Sequence, residues 1–251
     1  MSVTCLQFCF PGLPAVRCAF QTRVGGASCG AYGGGNISFQ VKDTPEHVLA
    51  NRQSLAALLR PQGLHAWAEL EQIHGDGLLV EPEAVAAQTE SYAQGDGMAT
   101  SRPGLGLLIK TADCQPVLLA HTSGRYVAAL HVGWRGNKCN FPGSGVARFC
   151  EHYGLEPRDI LAVRGPSLGP ESAEFVNFDR EWGADWLPWF AAQKRTMDLW
   201  SLTRWQLEKA GLLPRHIYGL DICTATNDTM FFSYRRHKLS GRQASLVWIA
   251  D

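Results

Sequence analysis

The chain has no surplus of charge of either sign. Its 23 Lys and Arg residues balance 23 Asp and Glu residues, so no overall field draws it to nucleic acid or to an anionic membrane. It also has no uninterrupted apolar run near the ~20 residues needed to cross a bilayer. Met1 to Pro14 has neither the basic start nor the continuous apolar run of a secretory signal. These absences predict a cytoplasmic protein whose partners are small molecules, with neither nucleic acid nor membrane among them. Eight cysteines are present, Cys5, Cys9, Cys18, Cys29, Cys114, Cys139, Cys150 and Cys223, but no CxxC pair. A chain of 251 residues with 45% hydrophobic side chains builds a core without disulfide staples, which points to reduced thiols. With no Pro/Ser/Gly-rich linker, internal repeat or low-complexity segment, residues 1–251 read as a single domain.

Hydrophobic periodicity supplies the elements. Val16, Cys18 and Phe20 alternate with polar neighbours as in a half-buried strand through Thr22. A glycine-dense stretch runs from Gly25 to Gly35. Thr44-Pro45 reads as a helix start, with Val48, Leu49, Leu55, Leu58 and Leu59 forming an apolar stripe that ends near Pro61. The runs Leu105 to Ile109 and Pro116 to Ala120 are predicted strands flanking a sharp bend at Thr111-Ala112-Asp113-Cys114. Tyr126 to Leu130, Ile160 to Val163, Ile217 to Ile222 and Ala244 to Ile249 are further predicted strands, with helices near Gly145 to Tyr153 and Leu199 to Ala210. Strands and helices so interspersed predict an α/β (α+β mixed) layered domain with a mixed sheet and flanking helices.

Polar residues stand where the apolar runs stop. His74 precedes the run Leu78 to Val80, Cys114 occupies the bend, and His131 ends a strand before His131-Val132-Gly133-Trp134-Arg135-Gly136. Two imidazoles and a thiolate suit zinc, and three protein ligands leave one position open, the pattern of a catalytic site. Gaps of forty and seventeen residues match no compact zinc motif, so two other readings stand beside it. In one, the histidines are hydrogen-bonded strand-end residues and Cys114 is a small buried hydrophobe. In the other, Cys114 is a nucleophile and His131 its base, as in a Cys-His hydrolase. Arg23 to Gly26 and Tyr32 to Asn36 could offer amides to a phosphate or be ordinary loops. Arg235, Arg236, His237 and Lys238 form either an anion site or a solvated basic face. Asp96, between glycines, and Asp113 are candidates for orienting a histidine or moving a proton; Asp96 is equally a turn residue.

Several ordered blocks add a family resemblance. Gln72-Ile73-His74-Gly75, Thr111 to Leu119 and His131 to Gly136 resemble the signature segments of the YfiH-like family, also labelled the multicopper polyphenol oxidase (laccase) domain family. Arg23 to Tyr32, Asn36-Ile37-Ser38, Asn51-Arg52, Gly95 to Thr100, Gly165 to Pro170, and Cys223-Thr224 through Phe231 to Arg236 and Gly241-Arg242 match as well. The resemblance implies a one-domain α/β fold, one zinc ion per chain on His74, Cys114 and His131, and action on purine nucleosides. The implied reactions are phosphorolysis of adenosine, inosine and methylthioadenosine and deamination of adenosine. Asp113 and Asp96 are then candidate catalytic proton carriers, and Asn36, Arg52, Arg135, Ser233, Arg235 and Arg236 candidates for binding substrate or phosphate. The older family label implies copper and phenol oxidation instead. Eight histidines without one His-x-His pair fit a multicopper site poorly. A fourth ligand such as Cys139 would make the metal structural and leave a non-catalytic nucleoside-binding module. The chain departs from the family pattern at Asn137 to Pro142 and Glu171 to Val176.

Overall fold

The apolar runs of the sequence become two β-sheets stacked face to face, with helices on both outer faces. The computed structural model describes residues 1–251. The first sheet contains β1 (Cys5–Phe8), β2 (Val16–Gln21), β3 (Ala66–Ala68), β6 (Leu105–Thr111) and β13 (Gln243–Ile249), in the order β1-β2-β13-β6-β3. The second contains β4 (Leu78–Val80), β5 (Gly97–Thr100), β7 (Gln115–His121), β8 (Val127–Val132), β9 (Ile160–Arg164) and β12 (Ile217–Gly219), in the order β12-β9-β7-β8-β5-β4. Both sheets are mixed, because their central pairs are antiparallel while β3/β6, β4/β5 and β12/β9 run parallel. A separate two-residue pair joins β10 (Phe190–Ala191) to β11 (Thr196–Met197).

Alternation along the strands explains the layers. Cys18, Phe20, Leu107, Ile109 and Val247 of the first sheet meet Leu118, Ala120, Ala129 and Val163 of the second in the inter-sheet core. The intervening residues Ala19, Leu108, Leu246 and Trp248 face outward onto Leu55 and Leu59 of α1 (Pro45–Leu59). On the far side, beyond the short α2 (Trp134–Lys138), Val117, Leu119, Ala128 and Leu130 pack against Phe141, Val146 and Phe149 of α3 (Phe141–Tyr153) and Leu207 of α5 (Leu199–Lys209). Central strands buried on both faces read as continuous apolar runs rather than clean alternation. No helix is long and apolar enough to cross a membrane.

Several boundaries differ from the sequence expectation. The strand expected through Ile222 stops at Gly219, because Asp221 turns into a left-handed conformation (φ 50°) and pairs with Arg164. The helix expected from Gly145 begins four residues earlier at Phe141, behind Asn140, itself left-handed at φ 58°. The strand expected to end at Leu130 runs on through His131 to Val132, which carries His131 on a rigid ladder. The Glu171 to Asp198 region holds short pieces, including α4 (Phe178–Glu181), around a cluster of Phe175, Phe178, Trp182 and Met197.

Candidate metal centre and cleft

His74, Cys114 and His131, forty and seventeen residues apart in sequence, meet at one end of the stacked sheets. One ligand atom from each lies within 4.8 Å of the other two. A zinc ion roughly 2.0–2.3 Å from each donor would hold them about 3.3–3.7 Å apart, somewhat closer than the 3.9 Å between the Cys114 Sγ and the His74 Nε2. Each arrives by a different local device. Cys114 follows Asp113, held at φ 97° in the bend between β6 and β7. His74 is itself left-handed, at φ 61°, an uncommon conformation for a residue with a Cβ. His131 is the penultimate residue of β8, paired with Pro116 of β7. Gly133 just beyond it gives the ligands room, since a Cβ there would crowd the Cys114 Sγ at 3.0 Å and the His74 ring at 3.2 Å.

Asp96 organizes this geometry. Its buried carboxylate accepts the His131 Nδ1 hydrogen at 2.7 Å and the backbone amides of His74 and Gly75 at 3.0 and 2.6 Å. Because an ionised carboxylate only accepts, it assigns the hydrogen to Nδ1 and turns Nε2 toward the cleft. Burial alone would raise the Asp96 pKa, but the His131 contact and these amides hold it below the ordinary carboxylate value. Burial would likewise raise the Cys114 thiol, yet the neighbouring His131 and His74 imidazoles bring it down to about 6. A thiolate between two imidazoles is the form that binds metal. Gln72 ties the His74 loop to β6, its side chain bonding both the Lys110 N–H and the Lys110 carbonyl at 2.8 Å.

Both expected proton carriers have their carboxylates engaged by protein partners. Asp96 is wholly buried and committed to His131 and the His74 loop, so it positions a ligand. Asp113 lines the cleft, but its two oxygens accept from Thr224 Oγ1 at 2.7 Å and the Arg235 amide at 2.6 Å; it braces the bend. Four expected phosphate ligands, Arg52, Asn36, Ser233 and Arg236, lie outside the cleft lining and are held by protein partners. Arg52 is buried in an ion pair with Glu69 at 2.9 Å and donates to the Ile37 and Thr89 carbonyls. Asn36 is buried, bonding Asp43 and the Arg242 amide. The buried Ser233 hydroxyl accepts from the Arg236 amide, and Arg236 pairs with Asp228. Cys139 is exposed and outside the ligand group, which leaves three protein donors.

Arg135 and Arg235 do line the cleft around the three ligands, a space of about 600 Å³. Lys238 of the basic cluster also lines it, whereas sequence reasoning assigned no role to Arg242, Tyr234 and Phe175 on its wall. Arg242 had a signal in the Gly241-Arg242 block, whereas Phe175 lay in a segment that departs from the family pattern. Trp134 contributes an aromatic wall, with its ring 5.8 Å from Phe175 and the Arg135 guanidinium stacked over it at 4.3 Å. The site therefore combines a soft-and-nitrogen donor set, planar apolar walls and guanidinium cations.

Comparisons with known proteins agree with this frame. A family model described as multi-copper polyphenol oxidoreductase laccase matches residues 17–250. The purine nucleoside phosphorylase YfiH of Escherichia coli (strain K12) is 33% identical, covering 96% of each chain. A purine nucleoside phosphorylase of Deinococcus radiodurans is 34% identical over 90% of this chain and 88% of its own. Among solved structures, YlmD from Geobacillus stearothermophilus superposes with a TM-score of 0.82 at 26% identity, covering 96% of this chain and 94% of that one. A Bacillus licheniformis hypothetical protein YfiH gives 0.80 at 26% identity, covering 93% and 92%. On the family match, the near-full-length relatives and the shared fold, this chain belongs to the YfiH-like multi-copper polyphenol oxidoreductase laccase family.

Proposed function

We propose that this chain is a zinc-dependent purine nucleoside enzyme that phosphorolyses adenosine, inosine and methylthioadenosine and deaminates adenosine. The observation that carries the reading is the His74, Cys114 and His131 set, with three protein donors opening into an aromatic cleft ringed by arginines. Relatives covering nearly the whole chain are named purine nucleoside phosphorylases, which supports the same reaction here. His74, Cys114 and His131 would hold the zinc, which would supply Lewis acidity when bound. In phosphorolysis an oxygen of inorganic phosphate bonds to the ribose C1′ as the bond from C1′ to the base nitrogen breaks. The products are ribose 1-phosphate and the free base, which takes a proton. Arg135, Arg235 and Arg242 on the cleft wall gather the phosphate charge. Trp134 and Phe175 offer faces to the planar base. In deamination water adds at C6 and ammonia leaves.

The donor set supports one zinc rather than several coppers, since the chain has one group of three or more ligating side chains and a multicopper centre needs many imidazoles. The same three donors also suit a single copper ion, so metal content is part of the test. Protein purified without added metal is expected to carry about one zinc per chain. Inosine plus phosphate should yield hypoxanthine and ribose 1-phosphate on chromatography, with turnover lost in His131→Ala. Intact nucleosides together with copper-dependent oxidation of phenols overturn the proposal.

A further inference from the structure

The whole chain is electrically balanced, with 23 basic and 23 acidic residues, yet the cleft is not. Arg135, Arg235, Lys238 and Arg242 all line it and none of them is in an ion pair, whereas Arg236 on the same segment is held by Asp228 and Lys110 in the cleft wall by Glu90. The one carboxylate on the lining is Asp113, whose oxygens are engaged by Thr224 and the Arg235 amide. Like charges gathered on a concave wall repel one another and focus their field on the space between them, so a negative ligand relieves the wall as it binds. A single phosphate group brings only about −1.5 to −2 near neutral pH. Four unpaired cations less one carboxylate therefore leave about one positive charge or more uncompensated by one inorganic phosphate.

The surplus also has a shape. Lys238 Nζ stands 4.6 Å from the centre of the Tyr234 ring, and the Arg242 guanidinium 6.0 Å from the same centre. Tyr234 is 47% exposed, which puts this pair at the mouth. Arg242 is anchored there by its Nη1, which donates to the Ser240 and Gly241 carbonyls at 2.9 Å. Arg135 lies instead over Trp134, and Arg235 donates to the carbonyl of Glu174, the residue before Phe175, so these two border the corner where the Trp134 and Phe175 rings meet.

Two groups of cations bordering two parts of one cleft suit two anionic groups bound together. We propose that the preferred substrate is a nucleoside 5′-monophosphate, whose phosphate monoester is held at the mouth by Lys238 while the arginines serve the inorganic phosphate, with Arg242 contributing to both. The inference rests on the purine nucleoside reading and adds the class of nucleoside. Together the two phosphates carry about −3 to −4, which the four cations match. The bond changes stay those of phosphorolysis: a phosphate oxygen bonds to C1′, the bond from C1′ to the base nitrogen breaks, and the base takes a proton. The sugar then leaves with phosphates on both C1 and C5. Lys238 is a recognition residue here, with no part in bond breaking.

The test compares adenosine 5′-monophosphate with adenosine, each with inorganic phosphate, in wild type, Lys238→Gln and Lys238→Glu. Melting temperature and zinc content check that each variant is folded and loaded. Wild type is expected to favour the monophosphate by about ten-fold or more in kcat/KM, the size of one charge-assisted contact, mostly through KM. Lys238→Gln should bring the ratio close to one and Lys238→Glu below one. Ribose 1,5-bisphosphate found by mass spectrometry shows that the 5′-phosphate is kept through the reaction. Calorimetry without inorganic phosphate should find monophosphate binding that weakens as salt rises, and adenosine binding that does not. Salt-sensitive, Lys238-dependent binding of the monophosphate without turnover upholds the inference and overturns the phosphorylase reading. Phosphorolysis that favours adenosine, or a preference for the monophosphate that neither variant moves, overturns the inference and leaves that reading standing. If neither compound binds or reacts, both fall.

Discussion

Asp96 and His131 share a buried hydrogen bond of 2.7 Å, carboxylate to Nδ1, and the same carboxylate holds the backbone on both sides of the His74 Cα. One side chain thus aims two imidazoles from different segments at one point, and their rings lie 4.9 Å apart.

Removing that carboxylate should loosen the metal before it unfolds the protein. For Asp96→Asn we expect zinc affinity to drop about 10–100-fold, the usual cost of losing a carboxylate behind a ligating histidine. Competition with a chromophoric chelator reads this directly. Unchanged affinity would show that the His131 orientation is set elsewhere.

Metal removal should expose Cys114. A metal-bound thiolate is enclosed and shares its charge, whereas a nucleophilic thiolate is open. Iodoacetamide is expected to modify Cys114 slowly in zinc-loaded protein and quickly after chelation, while the exposed Cys9 and Cys29 react alike in both states. Rapid labelling of the loaded protein, activity that survives chelation and a covalent substrate adduct would instead establish a Cys-His nucleophile.

The arginines divide into two classes that kinetics can separate. Arg235→Ala should raise the KM for phosphate by about ten-fold, consistent with one lost charge-assisted contact, because Arg235 faces the cleft. Arg52→Met should leave that KM alone and destabilise the fold by about 3 kcal/mol, because it leaves buried Glu69 with only the longer Lys110 contact at 3.8 Å. Denaturant titration gives the second quantity. A phosphate KM that rises in Arg52→Met at unchanged stability would return Arg52 to the phosphate site.

Acid stability should depend on Glu81. Burial pushes its pKa up, but hydrogen bonds from Tyr153, Thr100 and Ser101 outweigh this and hold it at about 2, against an ordinary value of 4.5. A depressed carboxylate pKa contributes stability above the unfolded value, and the contribution fades as pH falls from about 4.5 toward 2. The side chain is 33% exposed, so solvent screening reduces the size of the effect. Tyr153→Phe should therefore lower stability at neutral pH, with the difference from wild type narrowing through that window. A difference independent of pH would assign the loss to packing.

The residue types and periodicities were readable along the chain. The apolar runs at Leu105, Pro116 and Ala244 announce central strands because both of their faces are buried. The placing of His74, Cys114 and His131 at the ends of such runs marks them as candidates for one cleft. The short strands β1, β3 and β5 have three or four residues each, too few to show a period. Stacking the sheets decided the rest. Arg52 and Arg235 look equally basic in sequence, yet one is enclosed beside Glu69 and the other reaches the cleft. Asp96 and Asp113 look like free acids until His131, Thr224 and Arg235 take their oxygens. Sequence thus determined which groups are available and roughly where the chain turns. Only the tertiary structure decided which of them are neutralised by a partner and which remain open to a ligand, because burial and pairing depend on distances between segments that adjacency along the chain does not set.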